Sequence, residues 1–123
     1  MKKIVFDSNF LIDLARFRID IEEIKNLVGL CEFYTVDLVV NELKRIAGKK
    51  AKASRNARVA LKLMELNDFK IIKSKGKNAD DAILKLAGKD TVVATNDIEL
   101  RKSLKKIRAK TIYLRAKKHL AIN

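Results

Sequence analysis

The chain has 123 residues, with 28 Lys and Arg against 15 Asp and Glu for a formal charge of +13, 48% apolar residues, 4 Gly and no Pro. That length suits one domain spanning residues 1–123, able to bury about two thirds of its unfolded surface. No apolar run of about 18 residues is present to cross a membrane and no signal peptide is legible, while the single Cys31 excludes an internal disulfide and a Cys-x-x-Cys zinc site. The reading is a cytoplasmic, reducing address, with Cys31 a buried thiol beside Leu30 and Phe33. The surplus of cations exceeds what solubility requires and points to a polyanion, nucleic acid first. Heat-adapted surfaces balance Lys with Glu, which this chain does not do.

In chain order, Ile4-Val5-Phe6 is too short for a helix and reads as a buried strand, followed by the turn and cap residues Asp7, Ser8 and Asn9. Phe10 to Phe17 reads as a helix. Ile21 to Val28 reads as another, with Asp20 as its cap. Phe33 to Val36 is a second strand, and Asp37 caps a helix carrying Val39, Val40, Leu43, Ile46 and Ala47 up to Gly48. Next, Ala53, Ala57, Ala60, Leu61 and Met64 recur at helical spacing while Lys52, Arg55, Arg58 and Lys62 point elsewhere, which makes an amphipathic helix with a basic face. Phe69 to Ile72 is a strand. Asn78 caps a helix over residues 79–87, Thr91 to Thr95 is a strand, Asn96-Asp97 opens a helix to about Lys106, and Thr111 to Leu114 closes the sheet. Alternation of strands with helices, without Asn-Gly hairpin signals, predicts right-handed crossovers, a mostly parallel sheet and a three-layer α/β/α sandwich.

Two stretches carry bases without acids. One runs from Lys44 and Arg45 through Lys52, Arg55 and Arg58 to Lys62; the other begins at Arg101 and Lys102 and continues to Lys118, with His119 in a basic tail. The acids sit elsewhere. Asp7 and Asp97 each follow a strand, Asp80 and Asp81 open a helix, and Glu42 lies about a turn and a half into one, so four connections bring carboxylates to one edge of a parallel sheet. Like charges gathered there repel unless compensated, and the usual compensator of hard oxygen donors is Mg²⁺ or Mn²⁺. A basic surface around an acidic metal site is what a phosphodiester hydrolase needs, the cation activating water and neutralising charge on phosphate.

Together, Phe6-Asp7-Ser8-Asn9-Phe10-Leu11, Val40-Asn41-Glu42-Leu43, Ala79-Asp80-Asp81-Ala82-Ile83-Leu84 and Ala94-Thr95-Asn96-Asp97-Ile98-Glu99-Leu100 resemble the PIN-domain family of metal-dependent ribonucleases over nearly the whole chain. Each motif alone is weak; the ordered set is specific. The resemblance implies that Asp7, Glu42, Asp81 and Asp97 are the metal-binding catalytic acids, that Asn9 and Thr95 line the site, and that five parallel strands run in the order 3-2-1-4-5. Asp80 is either a supporting or metal residue or a complement to its helix dipole. The expected activity is Mg²⁺- or Mn²⁺-dependent endonucleolytic cleavage of single-stranded RNA. The doubled Asp80-Asp81 resembles the ribosomal-RNA-processing branch, and the short length suits the toxins of toxin–antitoxin pairs. A processing complex, an antitoxin or a second copy of the chain are the protein partners these imply. A non-catalytic RNA-binding module of the same fold is the alternative from another class. Asp13, Asp37 and Asp68 are assigned to caps or solvated faces.

Overall fold

The computed structural model describes residues 1–123, and its centre is a six-stranded sheet ordered β3-β2-β1-β4-β5-β6. The strands are β1 (Lys2–Phe6), β2 (Cys31–Val36), β3 (Lys70–Ile72), β4 (Thr91–Ala94), β5 (Thr111–Arg115) and β6 (His119–Ile122). The first five pair in parallel, in the anticipated order 3-2-1-4-5. Helices α1 (Ser8–Arg16), α2 (Glu23–Val28), α3 (Asp37–Ala47) and α4 (Lys52–Leu66) connect β1 to β2 and β2 to β3, and α5 (Ala79–Leu86) and α6 (Ile98–Lys106) connect β3 to β4 and β4 to β5. Because the chain moves one way across the sheet before β3 and the other way after it, right-handed crossovers put these two groups of helices on opposite faces. Accordingly α1, α3 and α4 pack on one another, and α5 packs on α6. None of the helices is long and apolar enough to cross a membrane.

The sixth strand departs from expectation. His119–Ile122, assigned to a basic tail, returns antiparallel to β5 with Arg115 opposite His119 and Ile112 opposite Ile122. Its three-residue turn, Ala116 to Lys118, places Ala116 at φ 52° and Lys117 at φ 59°, a left-handed conformation that Asn and Gly ordinarily supply. The hairpin therefore carries no sequence signal; Leu120 and Ile122, packed against the core, favour it instead. His119 itself is exposed.

The core runs along both faces of β1. Phe6 meets Phe10, Phe33 and Phe69 with ring centroids 5.7, 5.4 and 4.8 Å apart in tilted and edge-on contacts. These contacts anchor the end of β1, and with it the position of the residue that follows. Asp37 does more than the expected capping: as the first residue of α3, its Oδ1 accepts hydrogen bonds from Leu38 N at 2.8 Å and from both N and Oγ of Ser74, fastening the loop between β3 and α5. The Ser74 hydroxyl holds its carboxyl below the usual range. Cys31 is only half-buried, because it begins β2 rather than lying inside it, and burial pushes its thiol up.

Candidate active site

All five predicted acids lie at the carboxyl edge of the parallel strands, where the order reverses between β1, β2 and β4. Asp7 ends β1 and is 3% exposed. Its Oδ2 accepts a 2.7 Å hydrogen bond from the fully buried Thr95 Oγ1, and Thr95 Oγ1 in turn accepts one from Asp97 N at 3.1 Å. Thr95, expected to line the site, thus ties the acid after β1 to the acid after β4. Ser8, read from sequence only as a turn and cap residue, donates to Glu42 Oε2 at 3.1 Å and so joins α3 to the same edge. Asp97 caps α6, its Oδ1 accepting from Glu99 N at 2.8 Å and Leu100 N at 3.2 Å. Asn9 is exposed in the first turn of α1 and has no hydrogen-bond partner.

The electrostatics identify which acids face one another. Burial pushes the Asp7 carboxyl up to about 6, against the 2.7 Å bond from Thr95, and the charges of Asp80 and Asp97 raise it further. Asp80 is raised too, by burial first and then by Asp97 and Glu42. Asp7, Glu42, Asp80 and Asp97 therefore share one field.

Asp81, expected to be a metal-binding acid, has one carboxylate oxygen engaged locally. Its Oδ2 accepts from Lys77 N at 3.2 Å and lies 3.4 Å from Lys85 Nζ. Gly76 leaves room for it: a Cβ there would sit 2.8 Å from Asp81 Oδ2 and 3.0 Å from Ala82 N. The cause is helical geometry. Adjacent positions point about 100° apart, so the two carboxylates at the start of α5 diverge, while Asn78 caps the helix by accepting from Asp81 N at 2.9 Å. The structure thus places Asp80 beside Glu42 and Asp97 and bonds Asp81 Oδ2 to the start of its own helix.

Asp13, assigned to a solvated face or cap, instead accepts from Asn96 Nδ2 at 2.9 Å, while Asn96 Oδ1 accepts from Leu114 N at 2.7 Å. That chain steadies the loop carrying Thr95 and Asp97 between α1 and β5, and no local sequence pattern announces it.

The four acids offer only oxygen donors, and each keeps an oxygen free. Glu42 Oε1, Asp97 Oδ2 and both Asp80 oxygens accept no hydrogen bond, and Asp7 Oδ1 has only a 3.4 Å approach from Ser8 Oγ. They do not close as a ready-made set of ligands around one point. An open array of this kind fits Mg²⁺ or Mn²⁺, hard cations that keep waters and take one or two carboxylates together with substrate phosphate.

The predicted nucleic-acid contacts lie on exposed surface: Lys44 and Arg45 late in α3, Lys52, Arg55, Arg58 and Lys62 along α4, and Lys102 on α6, with Arg101 half-buried. Four have structural attachments: Arg58 Nη1 donates to Ala47 O at 3.1 Å, Lys62 lies 3.7 Å from Glu65, Lys102 lies 3.6 Å from Glu99, and the Arg101 guanidinium stacks on Tyr113.

A parallel α/β sheet with an acidic group at its switch point defines a class of fold and site rather than one family. The family follows from comparison: a profile described as a PIN like domain matches residues 4–117, and the chain belongs to that family. It is 31% identical over a 127-residue alignment to ribonuclease VapC4 of Methanocaldococcus jannaschii, covering 99% of this chain and 97% of that one. Among solved structures it resembles the PIN domain endonuclease Utp24, with a TM-score of 0.80 at 25% identity over 98% of this chain and 90% of the other. It shares a fold with VapBC2 from Rickettsia felis, solved bound to a DNA fragment from their promoter, at a TM-score of 0.60, 15% identity and coverage of 81% and 91%.

Proposed function

We propose that the chain is a Mg²⁺- or Mn²⁺-dependent endoribonuclease acting on single-stranded RNA, with Asp7, Glu42, Asp80 and Asp97 holding the cation. One observation carries the reading: carboxylates from four separate connections share one field, and Asp7 is kept buried with its carboxyl near 6. A protein gains nothing in stability from such an arrangement unless a cation neutralises it. When bound, that cation would lower the pKa of an attacking water and offset charge gathering on the phosphate. The chain's own residues position. Thr95 orients Asp7 and Asp97 together, Ser8 orients Glu42, and the exposed bases of α3, α4 and α6 hold the phosphate backbone.

Similarity to an endonuclease, Utp24, and to a ribonuclease, VapC4, supports RNA cleavage, while the doubled Asp80-Asp81 favours a place in ribosomal-RNA processing and the short length a toxin role. Both use the same chemistry, and either an assembly or an antitoxin partner goes with the respective role. The complete acid group argues against a module that only binds.

The test is incubation of the purified protein with mixed single-stranded RNA in Mg²⁺, Mn²⁺ or EDTA. Cleavage leaving 5′-phosphate and 3′-hydroxyl ends, absent in EDTA and lowered by at least about a hundredfold in Asp7→Asn, is expected. Cleavage that survives EDTA, or survives Asp7→Asn in pure protein, would count against the site.

A further inference from the structure

We propose that the groove between α6 and β5 is a nucleotide subsite, which takes the phosphate backbone and one base of the RNA strand where it runs away from the acidic edge; this rests on the ribonuclease reading. The groove encloses about 750 Å³ and is walled by Arg101, Lys102, Lys105, Arg108 and Lys110, without an acidic side chain. Only Lys102 among these five has an ion-pair partner, Glu99 at 3.6 Å. Cations crowded into one concavity repel one another, and a polyanion is the ligand that relieves them.

Placement links the groove to the acids. Arg101 and Lys105 lie at i and i+4 on one stripe of α6, and Arg108 follows the end of the helix in a left-handed conformation. The stripe starts one turn after Asp97, the cap of that helix, and leads away from it for about 6 Å at 1.5 Å per residue before Arg108 continues the wall.

Arg101 gives the groove a stacking surface. Its guanidinium carbon lies 3.8 Å from the centroid of the Tyr113 ring, and its Nε is buried without an acceptor. An arginine serving only to tie α6 to the sheet would pair that donor, because leaving it unmet costs about 1–3 kcal/mol. Here the aromatic ring alone holds the guanidinium, which keeps its terminal N–H groups for an anion and its outer face for a base. An acidic peptide would use the charge but not the plane, so single-stranded RNA is the ligand that accounts for both.

The chain has no Trp and 2 Tyr, so in a Tyr34→Phe background Tyr113 is the sole emitter. With Asp7→Asn added to prevent cutting, RNA strands of increasing length are titrated in Mg²⁺, extended separately at the 5′ and 3′ ends. Affinity is expected to rise roughly tenfold, the size of one stacked base, once the strand is extended at one end only, and Tyr113 emission should be quenched at that same length. Lys105→Gln with Lys110→Gln should bring the ratio of long-strand to short-strand affinity down toward one. The proposal fails if long strands bind no better than short ones, or if the gain survives both substitutions. It also fails if poly-glutamate of equal charge quenches Tyr113 as RNA does, since the groove would then suit a protein partner. Loss of the length effect while short strands still bind, and the unsubstituted enzyme still cuts, overturns the subsite alone; absence of any binding or cleavage overturns the ribonuclease reading with it.

Discussion

At the scale of single residues, Asp7 is a carboxyl whose surroundings disfavour its charged form. Its folded value is raised from 3.8 to about 6, so the stability tied to it is fully present below pH 3.8 and is lost as pH rises through 6. In metal-free protein, urea melts should therefore show a fall of up to about 3 kcal/mol between pH 4 and 6.5 that Asp7→Asn abolishes. A flat profile in the parent would contradict the buried, crowded carboxylate. Mn²⁺, stabilising the ionised form, should also flatten it. The pair Asp80 and Asp81 gives a sharper contrast. Asp80→Asn is expected to remove cleavage by at least about tenfold while leaving stability nearly intact. Asp81→Ala, which breaks the bond to Lys77 N and the pair with Lys85, should lower stability by about 1 kcal/mol and largely spare cleavage. Equal loss of cleavage in both variants would show that Asp81 turns toward the site when substrate binds.

At the scale of elements, α4 divides its labour between packing and charge. Ala57, Ala60 and Met64 face α1 and α3, and the exposed Lys52 and Arg55 face solvent without an ion-pair partner. Replacing both by Ala should reduce the slope of log affinity for single-stranded RNA against log salt by about 1.4, at about 0.7 per phosphate contact, with little change in melting temperature. An unaltered slope would place the strand elsewhere. Arg58 is different, since its bond to Ala47 O closes the junction between α3 and α4, and Arg58→Ala should affect stability as well as binding. The helices were legible because their apolar positions repeat with the helical period and because Asn78 and Asp97 are caps that the structure uses as caps. The β5–β6 hairpin was not legible, since Ala116 and Lys117 adopt a left-handed turn against their own preference.

At the scale of the whole molecule, the chain carries a net +13 yet gathers acids at its switch point, and the two charge distributions make separate demands. Asp97 is both a helix cap and a member of the acid group, so Asp97→Asn keeps the cap while removing a charge. In EDTA this variant should melt at or above the parent. In Mn²⁺ the order should reverse, because a cation bound only by the folded parent adds about 2.7 kcal/mol at a hundred times its dissociation constant and the variant gains less. No Mn²⁺-dependent shift in the parent across millimolar concentrations would remove the metal site from consideration.

The sequence by itself determined the alternation of strands and helices, the parallel order of five strands, and the edge to which Asp7, Glu42 and Asp97 are delivered. The alternation, the parallel pairing and that edge follow from local periodicity, caps and crossover handedness, which are properties of neighbouring residues, whereas the order of the strands was implied by the family resemblance of the ordered motifs. Tertiary structure alone decided how Asp80 and Asp81 are placed, that Ser8 and Thr95 orient the other acids, that Asp13 and Asn96 brace the loop, and that a sixth strand closes the sheet. The bonds made by Ser8, Thr95 and Asp13 depend on partners far along the chain, Thr95 lying 88 residues from Asp7 and Ser8 34 from Glu42. A hydrogen bond or a shared field of that kind is fixed by where the backbone brings two side chains, which no pattern within one segment encodes.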